Sequence, residues 1–467
     1  MPRRTSRRIL PAPAPRRLYA TVDHGEPVAV AAADLNGPDA AQAFLRLNQP
    51  ALELLDVRAM VEAGRRGVDV RLLPGGRVGA VPLRRPTTGH VYAGLVVRPR
   101  FDWAGMGRVL DQTGWQAAPD LLALPLVPGS GREVPPWVIA GPAIARLRDL
   151  LGHLARGHEM AEAVLPRVRG HVRWPQYAAH QLPRGAWQQF PCRFPELAAD
   201  AQVRAEVRWA LERLHRLLAA VSVGDRLSAQ LATEALTLLT GLTDVVPRRP
   251  SPASKSLGLA DPVVRAGRQA LGWVADDRGL GGAAEADGLA WATNLDGLWE
   301  RFVEGQARAW AATVGGAVAT ARERTAQIPV RWRSRTAASL GHLAPDVVVR
   351  VGRRVVIFDA KYKAHLAGLD ADGWRALTVD AQAAHRADVH QALAYAALFD
   401  AECVTAALTY PLRAVTWRHL AGSDRAVVMG DVGSGGRAVR LALLGLPFGW
   451  EAANRTSWLG WDALLAP

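Results

Sequence analysis

The stretch Pro345-Asp346-Val347-Val348-Val349-Arg350-Val351-Gly352-Arg353-Arg354-Val355-Val356-Ile357-Phe358-Asp359-Ala360-Lys361-Tyr362-Lys363 consists of two β-branched runs around a glycine-containing turn. Such runs read as strands, and glycine at the first central position of a two-residue loop suits a type II′ hairpin. With Gly352 and Arg353 as the loop, Val351 pairs with Arg354, and counting outward sets Asp346 directly opposite Asp359. Directly opposed residues have Cβ atoms about 4.5–5.5 Å apart, and like charges held so repel. Lys361 lies two residues beyond Asp359 and therefore on the same face. Two carboxylates and one ammonium should converge at one end of the hairpin, and a one-residue slip would scatter them.

The lysine is conspicuous in this chain. Of 57 basic side chains only three are lysine, at 255, 361 and 363, and two of those flank Tyr362 in this segment. Arginine is a broad, permanently charged fork, whereas lysine is a compact point charge whose pKa can be moved. A few hard oxygen ligands beside a lysine suit Mg²⁺, or Mn²⁺ in its place, better than zinc. The expected ligands are the carboxylates of Asp346 and Asp359. An ion held there can activate water, orient a phosphodiester and stabilise the leaving oxygen.

Two flanking segments extend the pattern. Residues 388–399, DVHQALAYAALF, read as a helix with Gln391 and Tyr395 at i and i+4 on one face. Upstream, residues 294–304, NLDGLWERFVE, open an amphipathic helix with Glu300 near its start and Glu304 one turn later as a competitor. Together, Pro345-Asp346, Asp359-Ala360-Lys361 and these flanks resemble the PD-(D/E)XK nuclease superfamily. Gln391 and Tyr395 are similar to the Gln-x-x-x-Tyr motif of its RecB-type members, and Glu300 matches the extra acid commonly supplied by a preceding helix. The segments LWERFVE (298–304), PDVVVRVGRRVVIFDAKYK (345–363) and DVHQALAYAALF (388–399) narrow the resemblance to the McrC-type nuclease subunit of McrBC 5-methylcytosine restriction systems. The middle of the chain matches less well, with Arg173 where an acid is expected and Val203 near an expected asparagine.

This resemblance implies a Mg²⁺-dependent endonuclease acting on double-stranded DNA in a restriction and anti-phage system. Glu300, Asp346, Asp359 and Ala360 would hold the metal, and Lys361 would orient or activate the attacking water. Gln391 and Tyr395 would position Lys361 or the DNA, and Lys363 would touch phosphate. It also implies a separate McrB-type AAA+ GTPase as partner. The chain has no Walker A loop of its own: Lys255 lies in a Pro/Ser-rich stretch, and Gly430–Arg437 only mimics one.

Composition agrees with that reading. A net charge of +14 and pI near 10.8 favour nucleic acid as partner. No apolar run reaches the roughly 18 residues that a membrane span needs. Cys192 and Cys403 are far apart, with no metal-binding spacing, which suits a reducing, cytoplasmic compartment.

The expected fold is a multidomain α+β/α/β chain. A disordered basic arm (1–17) precedes a β-rich N-terminal domain (18–135), a mainly helical middle region (136–245) and a linker (246–256). Residues 257–467 should form a restriction-endonuclease-like domain, with a mixed central sheet flanked by helices. Two other readings are a stand-alone RecB-like repair nuclease and a catalytically silent DNA-binding scaffold. The intact acid–acid–lysine set argues against the second.

Overall fold

The computed structural model describes residues 17–30, 38–64, 67–115, 119–154, 158–197, 201–222, 225–250, 261–275, 287–333, 340–364, 366, 373–433, 438–449, 458 and 460–466. Most of the expected basic arm (1–16) and part of the expected linker (251–256) lie outside them. The chain is mixed α/β and forms two compact units, one of Met1–Glu133 with Ala286–Pro467 and the other of Val134–Glu285.

In the first unit, β1 (Arg17–Val22), β5 (Arg77–Arg84), β6 (Val91–Arg98), β7 (Asp120–Leu121) and β11 (Trp291–Asn294) make a sheet in the order β1-β6-β5-β11-β7. Strands β2 (Val28–Ala29), β3 (Val57–Gly64) and β4 (Gly67–Pro74) form a smaller sheet beside α1 (Pro38–Leu54). Phe44, Leu52 and Leu55 pack with Val81, Leu83 and Leu95 in the core beneath. A further helix, α2 (Trp103–Gln112), follows β6, and its N-cap Asp102 accepts from the Gly105 amide. The strand β11 comes from far along the chain and pairs antiparallel with both β5 and β7.

The second unit contains helices α3 (Trp137–Leu154), α5 (Ala201–Val221), α6 (Arg226–Thr240) and α7 (Pro262–Ala275). It also holds a three-stranded antiparallel sheet of β8 (His158–Leu165), β9 (His171–Val172) and β10 (Phe190–Leu197), with a single helical turn, α4 (Trp174–Gln176), between β9 and β10. These strands escape a reading based on helical periodicity because β9 has only two residues, β10 is interrupted by two prolines and an arginine, and β8 (HEMAEAVL) is rich in helix-favouring Glu, Ala, Met and Leu.

The central sheet of the first unit begins after α8 (Leu295–Val314), which follows β11 directly. Asn294 stands at the junction in extended conformation, and its side chain accepts from the Asp296 and Gly297 amides, an N-cap that ends the strand and starts the helix. Next come β12 (Ala317–Thr320), the short pair β13 (Ile328–Pro329) and β14 (His342–Leu343), and the hairpin β15 (Val347–Val351) and β16 (Arg354–Ala360). Then follow α9 (Val379–Ala396), β17 (Cys403–Leu412), α10 (Ala414–Gly422), β18 (Val427–Val432) and β19 (Ala438–Pro447). The strand order is β12-β15-β16-β17-β19-β18, with parallel pairs at β16–β17 and β17–β19 and antiparallel pairs elsewhere.

Strand parity assigns the two faces of this sheet. Val355 and Ile357 join Ala392, Tyr395 and Ala396 of α9 in one core cluster. Phe358 points the other way, onto Trp310 of α8 and Trp461. The sheet is thus covered by a helix on each face, which explains why its central strands read as continuous Val/Ile/Phe runs rather than alternating ones. A buried bond from Trp299 Nε1 to the Thr409 carbonyl (3.1 Å) ties α8 to β17.

The hairpin register is the expected one: Val351 pairs with Arg354 and Val347 with Phe358. Gly352 has φ +57°, whereas Arg353 is not among the positive-φ residues, the sign pattern of a type II′ loop. A Cβ at Gly352 would meet nothing within 4 Å, so any penalty for adding one is conformational. Gly352→Ala should therefore cost about 1–2 kcal/mol, read as a lower urea midpoint with an unchanged m-value.

Candidate active site

The site lies where β16 ends. Strand pairing carries Asp346 and Asp359 to opposite positions one step beyond Val347–Phe358, on the face that α9 covers. Asp346 Oδ2 accepts from the Ala360 amide at 2.8 Å, which fixes one carboxylate to the backbone of the other strand. Asp359 is 2 % exposed. Its Oδ2 lies 3.0 Å from Lys361 Nζ, yet it has no donor in hydrogen-bond alignment among the described residues.

Burial pushes both carboxyls above the usual carboxylate range; repulsion from Glu300 adds to this at Asp346, and repulsion from Asp346 adds to it at Asp359. Asp346 rises to about 6 despite the Ala360 amide and Lys361, and Asp359 to about 7 despite Lys361. Burial alone would lower Lys361, but the carboxylates of Asp359, Asp388 and Asp346 outweigh it and hold the ammonium above its ordinary value. At neutral pH Lys361 is therefore a charge and a donor, not a base.

The downstream helix holds this lysine. Lys361 Nζ donates to Gln391 Oε1 at 2.9 Å, and Gln391 Nε2 donates to Tyr395 Oη at 3.0 Å. Tyr395 is buried in the sheet core, so Gln391 is an amide whose orientation is fixed from behind. The i, i+4 spacing read from sequence thus becomes a chain of bonds ending on the ammonium.

Glu300 stands on α8 and is solvent-accessible. Desolvation by its surroundings raises its pKa, as do Asp296 and Asp359, while Lys361 lowers it. It therefore belongs to the electrostatic field of the pair. Its competitor Glu304 is buried and occupied elsewhere: Arg308 Nε and Arg322 Nε each donate to it at 3.0 Å. Lys363 donates to both oxygens of buried Asp388, each at 2.8 Å.

The donor chemistry fits a hard divalent ion. Two desolvated carboxylates face each other, one buried oxygen lacks a donor, and the Ala360 carbonyl lies between Asp359 and Lys361 in sequence. Among the described residues, no three or more Asp, Glu, His or Cys side chains are close enough to form a metal cluster. The Asp346–Asp359 pair is thus a two-carboxylate arrangement, with Glu300 at its edge.

Sequence reading passed over Asp388, Asp23, Arg100 and Tyr362. Asp388 carried a signal, since it precedes Gln391 by three positions and shares its helix face. Arg100 and Asp23 carried none, because more than 250 residues separate Arg100 from the Tyr362 carbonyl it meets.

No protein-family model and no curated protein matches the chain. Among solved structures it is similar to a chain of a half-complex refined from a tetradecameric assembly of Thermococcus gammatolerans McrB AAA+ hexamers with bound McrC. That match has 13% identity and a TM-score of 0.40, and covers 96% of this chain and 99% of that one. A second is to a Thermococcus gammatolerans McrBC complex, at 12% identity and a TM-score of 0.26, covering 62% and 86% respectively. Scores of that size do not establish a shared fold.

A pH prediction follows from the carboxylate pair. Groups whose folded pKa is raised contribute stability that is complete below their unfolded value, near 4, and lost as pH climbs through the folded values of about 6 and 7. With a chelator present, Asp359→Asn should match the wild type at pH 4 and exceed it by a few kcal/mol, roughly, at pH 8. Urea unfolding across that range checks this, and a pH-independent difference would contradict it.

Proposed function

We propose that this chain is a divalent-cation-dependent DNA endonuclease of the PD-(D/E)XK type. The observation that carries the reading is one constellation: Asp346 and Asp359 opposed at a strand end, and Lys361 between Asp359 and Gln391. A structural ion pair needs one carboxylate and one cation. A second buried carboxylate raises the energy of the site, and such a cost persists where a ligand or a reaction uses it.

In this reading Asp346, Asp359 and the Ala360 carbonyl hold Mg²⁺, or Mn²⁺ in its place, with Glu300 at the edge. Bound there, the ion would supply Lewis-acid stabilisation to a phosphodiester. Lys361, kept protonated, donates to the attacking water or to a non-bridging phosphate oxygen and offsets the charge that builds up there. Gln391, backed by Tyr395, stops Lys361 from collapsing wholly onto Asp359. Gln391, which is exposed, and Lys363, 36% exposed, are the residues proposed to meet DNA.

The motif resemblance extends the proposal to a restriction system of the McrBC kind, with a separate AAA+ GTPase as partner. The net charge of +14 supports a polyanionic substrate. No helix among the described residues is long and apolar enough to cross a membrane.

Supercoiled plasmid incubated with Mg²⁺ or Mn²⁺, with and without an AAA+ GTPase and GTP, tests the proposal. Asp359→Ala and Lys361→Ala should each reduce cleavage by at least about 10²-fold, the scale for removing one electrostatic stabiliser, and leave DNA retention in gel shift intact. Cleavage that survives both substitutions would refute the site. Loss of folding in Asp359→Ala would refute the metal reading, since removing one member of a repelling pair should stabilise the fold.

A further inference from the structure

We propose that Arg100 and Asp388 are positioning residues that aim the Lys361 ammonium by immobilising the two residues after it. This rests on the reading of Lys361 as the catalytic lysine.

The starting point is how little local structure Lys361 has. The strand β16 ends at Ala360. Beyond it the Lys361 amide donates to the Thr409 carbonyl at 2.9 Å, and the Lys363 amide donates back to the Lys361 carbonyl at 2.8 Å. That second bond closes a three-residue turn around Tyr362. Such a turn has one internal hydrogen bond and little stability of its own. A lysine on its first residue keeps a fixed direction only if the other two residues are held from outside.

Tyr362 is held from the N-terminal part of the unit. Its ring is 3 % exposed and packs on Phe101 and Phe448, with centroids 5.6 and 6.0 Å away. The Arg100 guanidinium lies 4.6 Å from the centroid of that ring, and its Nη2 donates to the Tyr362 carbonyl at 2.7 Å. One side chain thus fixes both ring and carbonyl. Arg100 is itself fixed by Asp23, a fully buried carboxylate that accepts from the Arg100 amide at 2.6 Å and lies 3.3 Å from its Nε. The Arg100 carbonyl accepts from Arg413 at 3.0 Å, so its backbone is pinned as well.

Lys363 is held from the opposite side by Asp388, through two bonds of 2.8 Å. Asp388 lies one turn before Gln391 on α9, and Gln391 takes Lys361 Nζ at 2.9 Å. The spacing of three places both acceptors on one helix face, each gripping alternate residues of the turn. The whole segment is therefore clamped between the N-terminal part of the unit and α9, and neither clamp touches the carboxylate pair. A group that must stay aligned with a phosphorus centre gains from this, because about 1 Å of misplacement can cost about 10²-fold in rate.

The scarcity of lysine makes the idea testable without DNA or metal. Protein labelled with [13Cε]-lysine carries only three labelled side chains, at 255, 361 and 363, and Lys361→Arg assigns the first of the two that matter. In metal-free protein Arg100→Lys, which keeps the charge and does not bond to the ammonium, should shift the Lys361 resonance toward that of free lysine. Asp388→Asn should shift it as well, through the lost clamp together with the lost Asp388 charge. Both variants should lower kcat by about 10- to 100-fold, and Arg100→Lys should change KM for DNA by less than about threefold, whereas a loss of DNA affinity alone in Arg100→Lys would overturn the proposal. Arg100→Lys keeps the charge and guards against misfolding in Asp388→Asn, with thermal unfolding read alongside. A Lys361 resonance unmoved in Arg100→Lys overturns the proposal, whatever the nuclease assay gives. A resonance that moves in Arg100→Lys, with a wild type that cleaves nothing, supports the clamp and refutes the nuclease reading instead.

Discussion

The burial of Asp346 and Asp359 at opposed strand positions is the constraint on which the candidate site depends. Buried like charges are costly, and a fold keeps them together only when the surrounding backbone allows no alternative. Here the type II′ loop at Gly352 sets the register, and the paired strands carry it without a slip to the far end of the hairpin. The neighbouring parallel strand β17 then supplies a carbonyl for the Lys361 amide, so the lysine departs from the sheet at a defined point. Everything else at the site manages the resulting charge. Lys361 offsets Asp359, Gln391 shares Lys361, and Tyr395 orients Gln391.

The two helices on either face do different work. The helix α8 is anchored by its Asn294 cap and by the Trp299 bond to β17, which brings Glu300 to the rim of the carboxylate pair. One turn further on, Glu304 faces Arg308 and Arg322 and is absorbed into an ion-pair cluster. A single turn of helix thus separates an acid in the site's field from one that stabilises the scaffold. On the other face, α9 presents Asp388, Gln391 and Tyr395 in order, and each meets the segment that follows β16 or supports a residue that does.

Much of this was legible because the decisive geometry is local. The hairpin register follows from one glycine and two valine-rich runs, and the i, i+4 pair on α9 needs only helical periodicity. The β-branched and apolar runs at 404–410 and 439–444 likewise lie within β17 and β19. What stayed hidden depends on long-range packing. Nothing near residue 291 announces that it completes an N-terminal sheet, because a four-residue strand among small residues has no distinctive pattern. Likewise, Arg100 is one arginine among many, and only folding brings it against Tyr362. That Glu304 is taken up by Arg308 and Arg322 was also beyond sequence, since Arg322 lies 18 residues from it along the chain.

The central claim is that the opposed carboxylates exist to hold a cation, and thermal unfolding with Mn²⁺ in the absence of DNA tests it most directly. An ion that binds only the folded state stabilises it by about 2.7 kcal/mol at a hundred times its dissociation constant. The account predicts a rise in Tm for the wild type that saturates with Mn²⁺, and no such rise for Asp346→Asn or Asp359→Asn. Equal shifts in all three proteins, or none in the wild type, would contradict it.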